Sequence, residues 1–387
     1  MTATNNSPSR EKVAIKLPPP LRQKIKVRAA QLGLDMQDAV TEAIQAWMAD
    51  GAEHPQVETS GAANFTTHLP QGLNVKFRKV AKSRKSALNQ ALAQALTEWL
   101  RDRPASHKQR LATSAPVRYI ICNQKGGVGK TAVSAGLAEG LAERGARVLL
   151  VDFDPQCHLT QQLGHKPLGI DDPSLAKRML GEEKKVSLRS LIVPVQSEQL
   201  FGDRLHLLPG STYAFLLDAK LATAQGLRIR ESALERELLA LEEDYDYILI
   251  DCPPSLGYTM DNALYYGRTR DGEDPDSSGI LIVVQAEDSS ADAYELLMNQ
   301  ISSLAGDMAL TLALLGIIVN LYDSRRGYIA TSSLQGWQDL GTPPVLVVIP
   351  DLKEQREAVR VKQPLLEYAP ECEQASSMRE LTRRLVG

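Results

Sequence analysis

Two hydrophobic periods divide this chain. Val13, Ile15 and Leu17 alternate with Lys12, Ala14 and Lys16, the period of a half-buried strand. The Pro18–Pro20 run ends that strand and opens a helix, in which Leu21, Ile25, Ala29 and Leu32 recur at helical spacing. Gly33 breaks the helix and Asp35 is expected to cap the next, whose buried stripe is Ala39, Val40, Ala43, Ile44 and Trp47. The pattern returns 52 residues later without a gap, with nine identities, among them Leu17/Leu69, Lys24/Lys76, Ala43/Ala95 and Trp47/Trp99. Such self-similarity marks a repeat. Two strand–helix–helix units are expected, 10–50 and 62–103, with Ser86 capping the last helix. A unit of ~40 residues is too small to bury a sufficient core alone, so the units should pair. They pair either with one another, across the Gly/Ala/Pro-rich linker 51–64, or each with its copy in a second chain.

From Val117 the apolar runs become continuous. "VRYIICN", "RVLLVDFDP", "YDYILIDCPPS", "GILIVVQA", "LALLGIIVN" and "PPVLVVIP" read as buried strands. Between the first two lie a glycine-rich loop and a helix, "AVSAGLAEGLAERG", which makes a βαβ unit of a parallel sheet. The polar, aperiodic stretch before Val117 predicts a linker over 104–116 and an α/β domain over 117–387. The expected fold is therefore α/β, a doubly wound, mostly parallel sheet, preceded by a small α+β tandem region.

Composition narrows the class. The chain has 387 residues, 43% hydrophobic and 24% charged, ordinary for a soluble protein. No apolar run approaches the ~18 residues of a membrane span, and "MTATNNSPSREK" lacks the apolar core of a signal peptide. Cys122, Cys157, Cys252 and Cys372 form no CxxC pair, which predicts free thiols in a reducing cytoplasm and no metal cluster. The net charge of −3 hides an asymmetry: residues 1–115 hold 17 Lys+Arg against 9 Asp+Glu, and the remainder holds 27 against 38. A basic first third on an acidic remainder points to a polyanionic partner.

The loop "NQKGGVGKTA" (Asn123–Ala132) carries the chemistry. The phosphate-loop pattern G-x-x-x-x-G-K-[ST] is met at Gly129, Lys130 and Thr131, while Gln124 stands at its first glycine position. Gly126, Gly127 and Gly129 let backbone amides wrap phosphates at a helix N-terminus. Lys130 is expected on the β/γ-phosphates and the Thr131 hydroxyl on Mg²⁺. Lys125 is a second lysine that such a loop does not need.

"KGGVGKT", followed by "DFDPQ" and "ILIDCPPS", resembles the ParA/MinD group of P-loop NTPases with a deviant Walker A motif, and "NQKGGVGKT", "DPQ" and "VIPDLKEQREAV" are similar to its ParA branch. The resemblance implies an ATPase with ATP and Mg²⁺ as cofactors and a nucleotide site over Lys125, Gly126, Gly127, Val128, Gly129, Lys130, Thr131 and Ala132. It implies that Lys125 crosses an ATP sandwich homodimer to the partner's phosphates, that Asp154 positions the attacking water, and that Asp251 orders Mg²⁺ with Thr131. Asn320, Pro350 and Asp351 match adenine-contacting positions. It further implies a cytoplasmic, nucleoid-associated DNA partition protein stimulated by a ParB-like centromere-binding partner. The chain departs from the family pattern at Ala132, Val283, Asp351 and Glu354. Arg325, Arg326, Lys353, Arg356, Arg360 and Lys362 are the candidate nonspecific DNA contacts. A MinD-like membrane anchor is not expected from the short end "SSMRELTRRLVG". The alternative function is a nucleotide-gated transcriptional repressor.

The tandem units resemble the ribbon-helix-helix family of DNA-binding proteins. The resemblance implies a two-stranded ribbon in the major groove with outward strand residues on the bases. By alternation these are Lys12, Ala14, Lys16, Asn64, Thr66 and His68. Arg22, Lys24, Lys26, Lys76, Arg78 and Lys79 are candidate phosphate contacts, with the start of each second helix.

Overall fold

The computed structural model describes residues 10–31, 34–50, 54–102, 115–197, 200–224, 230–287 and 289–386. They fall in two compact units, Met1–Lys108 and Gln109–Gly387. The expected helix break at Gly33 and residues 104–114 of the expected linker lie outside the described residues.

The first unit runs β1 (Arg10–Leu17), α1 (Pro19–Gln31), α2 (Met36–Ala49), β2 (Ala63–Pro70), α3 (Leu73–Ser83) and α4 (Leu88–Asp102). β1 and β2 form one antiparallel ribbon, in register from Arg10 opposite Pro70 to Leu17 opposite Ala63. The two repeats thus pair with each other inside one chain. Alternation turns Val13, Ile15, Leu17, Phe65 and Leu69 onto a shared core with Ile25, Ile44, Trp47, Phe77, Leu96 and Trp99. Lys12, Ala14, Lys16, Asn64, Thr66 and His68 are all exposed on the other face.

Three local expectations need correction. β2 begins at Ala63, so the linker expected to reach residue 64 ends at 62. Asp35 occupies the cap position of α2 but its carboxylate makes no capping bond; its carbonyl takes the Asp38 and Ala39 N–H groups. Ser86 stands one residue too early, because Ala87 carries the first helical carbonyl of α4 and accepts from Ala91 N–H. The repeats also enter their first helices differently. Pro19 opens α1, whereas Gly72, at φ +81°, makes the left-handed turn before α3.

The second unit has β3 (Val117–Cys122), β4 (Val148–Asp152), β5 (Val193–Pro194), β6 (Leu205–Leu208), β7 (Tyr247–Asp251), β8 (Gly279–Gln285), β9 (Leu314–Tyr322) and β10 (Val345–Pro350). Their order is β10-β9-β8-β3-β7-β4-β6-β5, parallel except for β5 against β6. β5 and β6 were not expected; at two and four residues they are too short for a period to register. The six longer strands are those the apolar runs predict. Alternate residues supply two cores, Ile120, Leu149, Ile250 and Ile282 on one face and Ile121, Leu150, Leu249 and Leu281 on the other. Helices cover both faces, as a parallel sheet requires.

After β3 comes α5 (Lys130–Glu143), buried along nearly its whole length. Gly136 and Gly140 allow the C-terminal helix Glu373–Val386 to lie directly on it. A Cβ at Gly136 would meet Met378 Cγ at 2.6 Å, and one at Gly140 would meet Thr382 Oγ1 at 2.3 Å. Arg379 clamps Glu143 with both arms of its guanidinium, at 2.8 and 2.9 Å. One turn earlier, fully buried Glu139 accepts the Leu366 N–H at 3.0 Å. Burial pushes its carboxyl up to about 8.

Candidate nucleotide site

The loop between β3 and α5 sits at the carboxyl edge of the sheet, where open α/β folds bind ligands. Gly127 and Gly129 take φ of +77° and +86°, which L side chains rarely adopt. Two asparagines brace the loop, one at its own start and one from β9, two strands away. Asn123 donates to Val283 O at 2.6 Å and accepts the Lys125 N–H at 3.1 Å. Asn320, within β9, donates to Val128 O at 2.9 Å. The fit at Gly129 is close: a Cβ there would stand 2.1 Å from Asn320 Nδ2.

Gly126, Gly127, Gly129, Lys130, Thr131 and Ala132 line one wall of a cleft of about 620 Å³. Asp154 and Gln156 face it from the turn after β4, Gln161 from the following helix, and Val359 and Lys362 from the tail. Lys130 is buried, with Nζ 3.2 Å from the Lys125 carbonyl. Burial pulls its pKa below the ordinary 10.5, while the charges of Asp251 and Asp154 work to raise it.

Asp152 and Asp251 end the adjacent strands β4 and β7 in register. Burial raises Asp251 to about 7, helped by the Asp152 charge and opposed by hydrogen bonds from the Ser134 and Thr131 hydroxyls. Ser134 Oγ donates to Asp251 Oδ1 at 2.9 Å, while Oδ2 is buried without a protein partner. Asp152 is raised to about 6, again first by burial. Its Oδ2 takes the Thr160 N–H and hydroxyl at 2.8 and 2.6 Å, and its Oδ1 is likewise unpartnered. Two orphaned carboxylate oxygens beside a threonine hydroxyl, next to a phosphate-type loop, are a hard-oxygen donor set that fits Mg²⁺. Asp152 carried no expectation from sequence, although it stands in the same "DFDP" stretch as Asp154. Asp154 closes a turn by accepting the Gln156 N–H at 2.9 Å and still faces the cleft.

Lys125 does not line this cleft. Its ammonium stands 3.1 Å from Glu287 Oε2, just beyond β8. Glu287 was visible in the stretch "VVQAE" and had no assigned role.

Other candidates are distributed differently from expectation. Asn320 braces the loop. Pro350 O accepts from Gln374 Nε2, and Asp351 pairs with Arg356 at 2.7 Å and Arg326 at 3.7 Å. None of the three lines the cleft, whose tail side is formed by Val359 and Lys362. Arg325, Arg326, Lys353 and Arg356 all hold carboxylates, namely Asp323, Glu287 with Asp351, Glu357 and Asp351. Arg360 and Lys362 are exposed. On the first unit, exposed Arg22 also stacks over Phe65 at 5.7 Å, Lys24 and Lys76 are exposed, and Lys26 is half-buried. All four cysteines are free, and no helix among the described residues is long and apolar enough to cross a membrane.

Comparison with known proteins gives concordant matches. The family described as an AAA domain matches residues 118–313. The chromosome-partitioning ATPase Soj of Thermus thermophilus is 32% identical over 269 residues, 70% of this chain and 95% of that one. The cobyrinic acid a,c-diamide synthase of Mycobacterium smegmatis, with bound ATP analog and magnesium, is 30% identical, with TM-score 0.51 over 69% of this chain and 92% of that one. The septum site-determining protein MinD of Pyrococcus horikoshii, complexed with Mg-ADP, is 26% identical, with TM-score 0.52 over 70% and 96%.

Proposed function

The chain belongs to the ParA-type family of P-loop ATPases, and from that premise we propose that it is a DNA partition ATPase that acts as an ATP-bound homodimer. ATP and Mg²⁺ are its cofactors, in keeping with the ATP analog and magnesium or the Mg-ADP held by its solved relatives. The observation that carries the reading is the division between two lysines five residues apart. Lys130 lies in the cleft and Lys125 outside it, beside Glu287. One lysine serves the chain's own nucleotide, and the other is available to a nucleotide held by a second copy.

In this mechanism the loop amides and Lys130 bind the β/γ-phosphates. Thr131 and Asp251 would hold Mg²⁺, which when bound offsets phosphate charge. Asp154 orients the attacking water from the cleft wall. Lys125 of each copy reaches the other's phosphates and stabilises charge developing in the transition state. Hydrolysis resets the dimer, and a ParB-like centromere-binding protein stimulates it. The ATP-bound dimer holds nucleoid DNA in the cytoplasm, with Arg325, Arg326, Lys353, Arg356, Arg360 and Lys362 as candidate contacts.

The first unit is read as a ribbon-helix-helix DNA-binding module, supported by its intrachain ribbon, its exposed Lys12 and Lys16 and its positive charge. It contributes specific binding, to the protein's own promoter or to a centromere. The pairing of four tail and loop basic residues with carboxylates favours a second reading, in which DNA affinity resides mainly in the ribbon and the ATPase gates a repressor.

Two measurements test this. ATP-dependent dimerisation and turnover should be seen by light scattering and phosphate release, with Lys125→Ala retaining ATP but losing about a hundredfold in turnover. Replicon loss should rise when Lys125 is replaced. A stable replicon combined with derepression of the adjacent promoter would instead support the repressor.

A further inference from the structure

The ribbon has an internal two-fold that its side chains do not obey. Ala14 and Thr66 are counterparts in the repeat, and they also face each other in the ribbon register. The axis exchanging the two units therefore passes between them. Two identical strands would give both ends of such a ribbon the same pair of outward residues. Here Lys12 faces His68 at one end, and Lys16 faces Asn64 at the other. All four are exposed.

These ends differ in hydrogen-bond chemistry. Lysine donates to guanine O6 and N7, whereas asparagine matches the N6/N7 edge of adenine in a bidentate way. Histidine offers a single ring nitrogen to such an edge. The flanks are unequal too. Asp35 and Asp38 sit at the start of α2, and the Arg10–Asp38 ion pair ties that start to the Lys12/His68 end. The first turn of α4 carries no acid, and by the same two-fold it belongs to the Lys16/Asn64 end. Arg10 offsets the Asp38 charge, and the exposed Asp35 carboxylate at that helix start opposes the phosphate that free amides would attract.

Resting on the DNA-binding reading of this unit, we propose that one chain reads a non-palindromic duplex element in a single orientation. The Lys16/Asn64 end specifies a guanine and an adenine with the firmer backbone anchor, and the Lys12/His68 end makes the looser contact. Covalent fusion of two unlike repeats is what permits this, since a ribbon of identical strands presents two identical ends.

The test is selection of binding sites from random duplexes by the full-length protein without nucleotide. The expected product is asymmetric about the centre of one ribbon footprint. Asn64→Ala should relax preference at one end only, and Lys12→Ala at the other, each weakening the best site by about tenfold. Making unit two copy unit one, with Asn64→Lys, Thr66→Ala and His68→Lys at three exposed positions, should convert the selected element into a palindrome. A palindromic element for the unaltered protein, or both alanine variants relaxing the same bases, overturns the asymmetric reading and leaves DNA binding intact. Undiminished DNA binding by a Lys12→Ala/Lys16→Ala variant overturns the DNA reading itself.

Discussion

Lys125 and Glu287 form an ion pair, 3.1 Å apart, off the wall of the nucleotide cleft. The other Glu287 oxygen takes Arg326 at 2.8 Å, and Arg326 reaches on to Asp351, which holds Arg356. A chain of alternating charge thus joins the second loop lysine to the basic residues near the tail.

Glu287 competes for Lys125 with the phosphates of a partner's nucleotide. Glu287→Gln should therefore tighten ATP-dependent self-association. Both side chains are partly exposed, so the effect should stay near the ~0.2–1 kcal/mol of such pairs, at most about fivefold. Sedimentation equilibrium with ATP measures it. Weaker association in the variant would mean that Glu287 supports Lys125 in the dimer.

Lys130→Ala and Lys125→Ala should fail differently. The first loses ATP binding in isothermal titration, because Lys130 is the buried cation of the cleft. The second keeps it within about threefold, because the Lys125 side chain points elsewhere. Equal losses in the two variants would contradict the division of labour.

Gly129→Ala should cost both stability and nucleotide. The residue takes φ +86°, and its new Cβ would stand 2.1 Å from Asn320 Nδ2. Backbone strain of this kind costs ~1–3 kcal/mol, read as a lower thermal midpoint. Gly126→Ala is the control for the stability loss alone, since no protein atom lies within 4 Å of its Cβ position.

Glu139 makes stability depend on pH. Its carboxyl is raised to about 8 in the fold against an ordinary 4.5, so folding binds a proton between those values. Its contribution is complete below pH 4.5 and is lost as pH rises towards 8. Glu139→Gln keeps an acceptor for Leu366 N–H and carries no charge. It should raise the thermal midpoint at pH 8.5 and flatten its fall between pH 6 and 8.5. A midpoint whose pH profile matches wild type would refute this.

Much of the site was legible because its determinants are local. Gly127, Gly129, Lys130 and Thr131 act through backbone shape and helix position, both written in consecutive residues. The outward set on the ribbon followed from a period of two. Asp152 stayed unassigned because a strand-end carboxylate shows its importance only through burial and an orphaned oxygen. Asn320 matched a base-contact position, yet its amide braces the loop from two strands away, a placement that depends on strand order.

By itself, the sequence determined the two period classes, the repeat, the six longer strands and the phosphate-type loop. These depend on residues close along the chain, whose spacing fixes backbone geometry directly. Only the tertiary structure decided that the repeats close on each other in one chain. Identical patterns satisfy either pairing, and a short linker favours the intrachain one by its high effective concentration. Only the tertiary structure joined Lys125 to Glu287, Val128 to Asn320 and Glu139 to Leu366. The first two arise from the order in which strands are laid into the sheet and the third from packing of the tail on α5, and periodicity encodes neither.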